Sequence, residues 1–246
     1  MIHMKVLKGI SLAFTCAVLV GCASAPTDQI NDPHEQVNRE AHMFNKALDK
    51  EFVRPISEEY TDIMPDPLEK AVSNFATNMS YPADIFNYLL QGNLAQAMSS
   101  GNAFILNTVF GLGGIIDVAG AQNVTPRSTD FGETMAHWGV GEGPYVELLV
   151  LGPSTQRDAV GKAVDFVIDP LGSLLNTEQS QIVRRTNAGN LMSKRMAYDA
   201  TIQSLYENSA DSYAQARLYY LQNRRYTLGI KPQDTADPFE ELYGTE

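Results

Sequence analysis

Chemistry in this 246-residue sequence could start at four histidines, a Gly-Pro-Ser step, an Asp-Phe-Gly triplet and a glycine-rich run. Asp130-Phe131-Gly132 matches the metal-binding tripeptide of protein kinases, but no phosphate loop, catalytic-loop triplet or strand lysine accompanies it. Gly139-Val140-Gly141-Glu142-Gly143 lacks the strand before, the helix after and the lysine of a nucleotide loop; it reads as tight turns around Trp138 and Tyr145. His3, His34, His42 and His137 show no ligand spacing. Gly152-Pro153-Ser154 lacks the nucleophile-elbow pattern, which leaves a hydrolase built from His137 with a distant Ser and Asp as the enzymatic alternative. Arg157-Asp158 is either a functional charge pair or a surface ion pair worth about 0 to 1 kcal/mol. These patterns point to a protein that is not an enzyme and needs no metal or cofactor.

Cys22 is different. Lys5 and Lys8 precede an apolar stretch from Gly9 to Val20, too short to span a bilayer comfortably, and Leu19-Val20-Gly21-Cys22 follows. The pattern resembles the lipobox of bacterial lipoproteins, in which the chain is cut before the cysteine and its thiol takes a diacylglyceryl group. An ordinary signal peptide or an uncleaved anchor is the alternative. Residues 1–21 are thus expected to be a signal peptide and 22–31, small, polar and Pro-containing, a lipidated flexible tether. Ala23 after the modified cysteine resembles the sorting pattern for the outer membrane.

The other cysteine, Cys16, leaves with the leader, so a mature chain has no thiol for disulfides or metal and must fold on its core. Loss of Lys5 and Lys8 takes the formal charge from −11 to −13. So acidic a chain is a poor partner for nucleic acid, whose binding rests on neutralised phosphates.

The elements that would carry these residues read as helices. Asp32-Pro33-His34-Glu35 and Asp66-Pro67-Leu68-Glu69 each offer an Asp N-cap, Pro at the first helical position and an acid at the third. The first predicts a helix through Val37, Phe44 and Phe52, stopped at Arg54-Pro55; the second, one ending near Tyr81-Pro82. A short helix should follow to Gln91, and Asn93 should cap another to about Val109. Residues 103–121 are apolar with one ionisable group, but Gly111, Gly113 and Gly114 predict a turn between two arms, not a spanning rod. Residue types alone fit a buried hairpin as well as a membrane-inserted one; the lipid tether favours the membrane. Residues 122–153 read as an ordered loop with at most one short extended piece. Ser154 should cap a helix closed by Asp169-Pro170, with helical regions over 178–208 and 212–225 after it. The expected fold class is all-α with little or no β structure: one domain of amphipathic helices over 32–230 and an acidic tail, 231–246.

Across its mature length the sequence resembles the MlaA (VacJ) family. The resemblance is carried by Asp32-Pro33 with Asn38-Arg39; Phe44-Asn45 with Leu48-Asp49 and Arg54-Pro55; Asn74-Phe75; Leu90-Gln91-Gly92; Asn107-Thr108 with Gly111, Gly113-Gly114 and Asp117; Asp130-Phe131-Gly132 with Thr134; Trp138-Gly139-Val140-Gly141 with Gly143-Pro144-Tyr145; Leu151-Gly152-Pro153-Ser154-Thr155 with Arg157-Asp158; and Tyr220-Leu221-Gln222 with Arg224. Glu142, Glu147 and Met135-Ala136-His137 depart from the family pattern. The resemblance implies a ring of helices in the outer membrane, lipid-anchored at the periplasmic face, with an amphipathic channel. It implies removal of mislocalised phospholipid from the outer leaflet, transfer to a soluble periplasmic carrier of the MlaC type, and a trimeric outer-membrane porin as neighbour; the alternatives are a membrane-tethered phospholipase and a structural lipoprotein that scaffolds porins. Asn107, Phe110, Gly111, Leu112, Gly113, Gly114, Ile115, Ile116 and Asp117 would form a mobile hairpin beside the lipid path. Phe44 and Asn45, on a helix facing it, would act as its gate, and Arg157 and Asp158 would lie on the polar side of the channel.

Overall fold

The computed structural model describes residues 30–230 except Ser173. The expected signal peptide, Cys22, the tether up to residue 29 and the acidic tail lie outside the described residues.

The chain is helical apart from one two-stranded antiparallel sheet. Helix α1 (Glu35–Leu48) passes through a π-helical turn (Asp49–Val53) into α2 (Arg54–Ile63). The helix therefore does not stop at Arg54-Pro55. Proline lacks an N–H and its ring crowds the carbonyl four residues back; a wider π turn just before it makes room, and Pro55 falls in the first turn of α2. Helix α3 (Asp66–Leu90) likewise runs through Pro82, merging the two helices expected there. Packing of α4 and α8 along α3 outweighs the roughly 3 kcal/mol that an internal proline costs. Gly92, at φ +71°, ends α3, and the Asn93 side chain accepts the Gln96 N–H (3.2 Å) to start α4 (Leu94–Val109), as the sequence indicates.

After the short α5 (Val118–Ala121), residues 122–153 hold more structure than a loop. Asp130 accepts the Glu133 N–H at 2.8 Å and opens α6 (Phe131–His137). Strands β1 (Tyr145–Leu148) and β2 (Gly152–Thr155) then pair, Tyr145 opposite Thr155. Ser154 belongs to β2; the cap of α7 (Gln156–Val167) is Thr155, whose hydroxyl accepts the Asp158 N–H at 3.2 Å. The expected helical region over 178–208 divides at Tyr198 into α8 (Thr177–Ala197) and α9 (Asp199–Tyr206), before α10 (Ser212–Thr227). Asp32 is not a cap: its carboxylate takes the Asn38 amide (2.8 Å), the Tyr213 hydroxyl and the Arg217 guanidinium, tying the start of the described chain to α10.

The packing closes on itself. α1 touches β1; the sheet touches α7; α7 packs on α6, α6 on α3, α3 on α8, α8 on α2, and α2 returns through the π turn to α1. What this circuit buries is mostly polar. Among the described residues nineteen buried side chains are polar or charged against ten apolar ones, and of the ten only Leu221 is an aliphatic larger than Ala. Phe44, Phe52, Ile56, Leu94, Met98, Ile105 and Val109 are exposed. A water-soluble domain of this size buries such side chains, so their distribution here suits an apolar surrounding. No described helix is long and apolar enough to cross a membrane.

Candidate functional site

The glycine hairpin between α4 and α5 is held by asparagines. Asn107, 3% exposed, donates its amide to Asp117 (3.1 Å) and accepts the Ala119 N–H (2.8 Å), clamping the two arms together. Asp117 in turn caps α5 through the Gly120 N–H at 2.9 Å. From α3, Asn74 donates to the Ile115 carbonyl (3.1 Å) and Asn78 to the Thr108 hydroxyl (3.0 Å) and the Gly113 carbonyl (3.4 Å). The glycines are needed here. At Gly111 a Cβ would stand 2.2 Å from the Ile116 carbonyl, and at Gly114, φ +103°, 2.6 Å from the Asn78 side chain. Leu112 itself is left-handed at φ +55°. The loop thus exposes Phe110, Leu112, Ile115 and Ile116 to the outside while four polar side chains hold its backbone.

At the other end of α4 an open concavity of about 650 Å³ lies against residues 123–127. Gln96, Ser99, Asn102 and Arg127 line one side of its chemistry, Met98 and Val124 the other. That recess is amphipathic.

The expected gate pair separates. Phe44 is half exposed, whereas Asn45 is buried with its amide committed to the β-hairpin: it donates to Glu147 (3.1 Å) and the Leu148 carbonyl (2.9 Å) and accepts the Val150 N–H (2.7 Å). The structure thus places Asn45 against the β-hairpin, where the sequence placed it facing the glycine hairpin. An apolar-looking loop gives no sequence signal of the strand pair that captures this side chain.

Arg157 and Asp158 are not a surface ion pair, being 5% and 3% exposed. Asp158 accepts from Arg157 (3.3 Å), from the Tyr220 hydroxyl (2.7 Å) and from Arg224 (2.9 and 3.0 Å), and Arg224 also grips Asp130 with two bonds of 2.8 and 2.7 Å. Burial works against the Asp158 charge, but Arg224, Tyr220 and Arg157 outweigh it and hold its pKa below the ordinary carboxylate value. The knot joins α6, α7 and α10. It also explains two glycines: a Cβ at Gly132 would meet Asp158 at 2.6 Å, and one at Gly161 the Gly132 backbone at 2.4 Å.

Beside it, Asp84 accepts the Thr129 N–H (2.9 Å) and the Ser128 hydroxyl (3.1 Å) on one oxygen. Burial pushes its carboxyl up to about 6 despite these two donors, with Asp130 and Asp165 adding to the rise. The folded chain then holds this proton more tightly than the unfolded one, so Asp84 removes stability as pH climbs from about 4 past 6, by roughly 2 to 3 kcal/mol. Asp84→Asn keeps an oxygen for both donors. We expect it to melt several degrees above the parent at pH 8, with the gap closing towards pH 4.5; equal melting temperatures at pH 8 would refute this.

One nucleophile, histidine and acid do meet. The His42 Nε2 lies 3.1 Å from the Ser212 hydroxyl, and its Nδ1 lies 3.8 Å from Glu147. The second distance is too long for a hydrogen bond, and Glu147 is already engaged by Asn45 and the Tyr145 hydroxyl. The imidazole is 2% exposed and meets the Tyr206 and Tyr213 rings edge to face, an arrangement suited to packing rather than to substrate attack. His137 is exposed at the end of α6. No cluster of His, Cys, Asp and Glu among the described residues could hold a metal ion.

The family model described as MlaA lipoprotein matches residues 30–227. The chain belongs to the MlaA lipoprotein family. It is 37% identical to the "Intermembrane phospholipid transport system lipoprotein MlaA" of Escherichia coli K12 over 233 residues, 91% of each chain, and equally similar to that of Shigella flexneri. The Haemophilus influenzae MlaA is 30% identical over 83% of this chain and 90% of its own. A solved structure from work on the structural basis for maintenance of bacterial outer membrane lipid asymmetry superposes with TM-score 0.67 at 33% identity, covering 80% of this chain and 98% of the other. In this member of the family the hairpin motif, Asn107 with Gly111, Gly113-Gly114 and Asp117, forms one clamped unit. The Asp130-Phe131-Gly132 and Arg157-Asp158 motifs form another, 27 residues apart in sequence yet joined by Arg224. Asn74 and Asn78 went unmarked as hairpin supports, although their i, i+4 spacing on one face of a helix was open to reading.

Proposed function

We propose that this chain is the outer-membrane lipoprotein of an intermembrane phospholipid transport system. Anchored by lipid on Cys22 at the periplasmic face, it takes phospholipid mislocalised in the outer leaflet through an amphipathic channel in the ring. It hands the lipid to a soluble MlaC-type periplasmic carrier beside a trimeric porin, and it does so without catalysis or cofactor. The observation that carries this reading is the distribution of polarity: large apolar side chains exposed, mostly polar side chains buried among elements that pack in a closed circuit, and an asparagine-clamped glycine hairpin. A phospholipid crossing between leaflets needs a wet wall for its headgroup and an apolar wall for its tails, which the recess at α4 and the exposed hairpin residues supply in miniature.

The test is restoration of outer-membrane asymmetry in a strain lacking its own copy. The wild-type gene is expected to return outer-leaflet phospholipid to the parental level, and Cys22→Ser behind a cleavable signal is expected not to. In parallel, the purified protein should release no fatty acid or lysolipid from phospholipid. Release would replace this reading with a phospholipase.

A further inference from the structure

The cationic side chains of the described residues divide by burial, with one exception. The buried and partly buried ones each meet a carboxylate or, for Lys46, the Tyr206 carbonyl. Those without a partner, Lys50, Lys70, Arg184, Arg185 and Lys194, are exposed. Lys162, on α7, is partly buried and yet has no hydrogen bond or ion pair among the described residues.

Its own helix offers two carboxylates. Asp158 lies four residues before it and Asp165 three after, both at the spacing that brings side chains together on one helix face. Both are already occupied. The two oxygens of Asp158 accept four bonds from Arg157, Tyr220 and Arg224, about as many as a carboxylate holds. Those of Asp165 take the Asn87 amide at 3.1 Å and the Phe131 N–H at 3.0 Å. Further off, Asp130 is gripped by Arg224, and Glu147 by Asn45 and the Tyr145 hydroxyl. Burial lowers the Lys162 pKa, although the charges of Asp158, Asp130 and Glu147 oppose it.

A lysine that serves only solubility extends its ammonium into water, and one that serves the fold keeps a resident counter-ion. Lys162 does neither, which suits an anion that comes and goes. One turn further along the same face, about 6 Å on, Phe166 is 87% exposed. An ammonium beside an apolar ring matches the part of a phospholipid where a phosphodiester meets acyl chains. A compact charge with three rotatable donors suits the single negative charge of that phosphodiester.

We propose that Lys162 binds the phosphodiester of a phospholipid headgroup, with Phe166 against the first part of the acyl chains. The proposal rests on the phospholipid-transport reading and names a residue that positions the cargo. Free phosphate offers the same anionic chemistry without the chains, and the experiment separates the two.

The acylated mature protein, in mild detergent, is treated with limiting acetic anhydride, and acetylation of each lysine is followed by peptide mass spectrometry. The unprotonated amine is what reacts, so a bound phosphodiester that holds the ammonium form slows the reaction. We expect phosphatidylglycerol to slow acetylation of Lys162 at least fivefold and that of Lys50, Lys70 and Lys194 less than twofold. Diacylglycerol with the same chains is expected to have no effect. Lys162→Met should retain less than about a fifth of the phosphatidylglycerol bound by the parent, and Lys162→Arg, which keeps the charge, most of it.

Equal protection by diacylglycerol would mean shielding by acyl chains and would overturn the proposal. Protection by inorganic phosphate alone at the same concentration overturns the lipid assignment in favour of a soluble anion. Unchanged acetylation of Lys162 in protein that does bind phosphatidylglycerol overturns the proposal and leaves the transport reading standing. Protein that binds no phospholipid overturns both.

Discussion

Arg224→Met is expected to cost this protein about 3 to 5 kcal/mol, the range for breaking a buried ion pair by removing one partner. One guanidinium serves two carboxylates, Asp130 and Asp158, and Asp158 is 3% exposed. Arg157 at 3.3 Å and Tyr220 at 2.7 Å cannot replace four bonds from Arg224. For a domain of about 200 residues the loss corresponds to a fall in melting temperature of roughly 10 °C, read by circular dichroism in mild detergent. Arg224→Lys should recover little of it, because a point charge does not reproduce a fork spanning two carboxylates. The pH dependence gives a second check. The folded-state pKa of Asp158 is lowered, so its ion pairing contributes stability above the ordinary carboxylate pKa that is lost as pH falls through the folded value. In Arg224→Met that acid-sensitive contribution should disappear. A variant melting within 2 °C of the parent would show the knot to be energetically idle.

Joining Asn74→Cys to Ile115→Cys is expected to stop lipid clearance. The Asn74 amide already reaches the Ile115 carbonyl at 3.1 Å, so a bridge there would turn a breakable bond between α3 and the hairpin into a covalent one. If the hairpin moves as lipid passes, the oxidised protein should leave outer-leaflet phospholipid at least tenfold above the level seen with the reduced form, and a reductant should restore clearance. Full clearance by protein whose bridge is shown by mass spectrometry to be closed would mean that the hairpin is a fixed wall.

Those two sites differ in how plainly they stand in the sequence. The glycine hairpin was legible because Gly111, Gly113 and Gly114 interrupt an otherwise apolar run, and the structure explains two of them locally, Gly111 by the Asn107 and Ile116 carbonyls and Gly113 by its φ of +77°, while the need at Gly114 comes from Asn78 on α3. The Arg224 knot was not, since nothing near Arg157-Asp158 announces a partner 66 residues away. Helix ends differ from their local signals where tertiary contacts override them: Pro55 and Pro82 are tolerated, and Asp32 gives its carboxylate to α10 and to the Asn38 side chain in place of the first backbone N–H groups of α1. The β-hairpin was hidden because its turn has none of the Asn-Gly or Asp-Gly chemistry that marks such turns; Val150 occupies the left-handed position in their place. Asn45 stands out in the sequence by resemblance alone; its partners, Glu147, Leu148 and Val150, are brought to it only by the fold.

The polar circuit that closes the ring has a consequence for what happens to an opening. In water, an apolar-walled gap is squeezed shut, because removing its surface from solvent is favourable. Among hydrocarbon chains that squeeze vanishes, since lipid tails and side chains are equivalent surroundings for one another. A frame whose shape is set by directional bonds such as Asp158 to Arg224, Asn107 to Asp117 and Asp84 to Thr129 needs no collapse to hold it together. Such a frame can stand open in a bilayer at no expense, and would be expected to sag and aggregate once taken out of it.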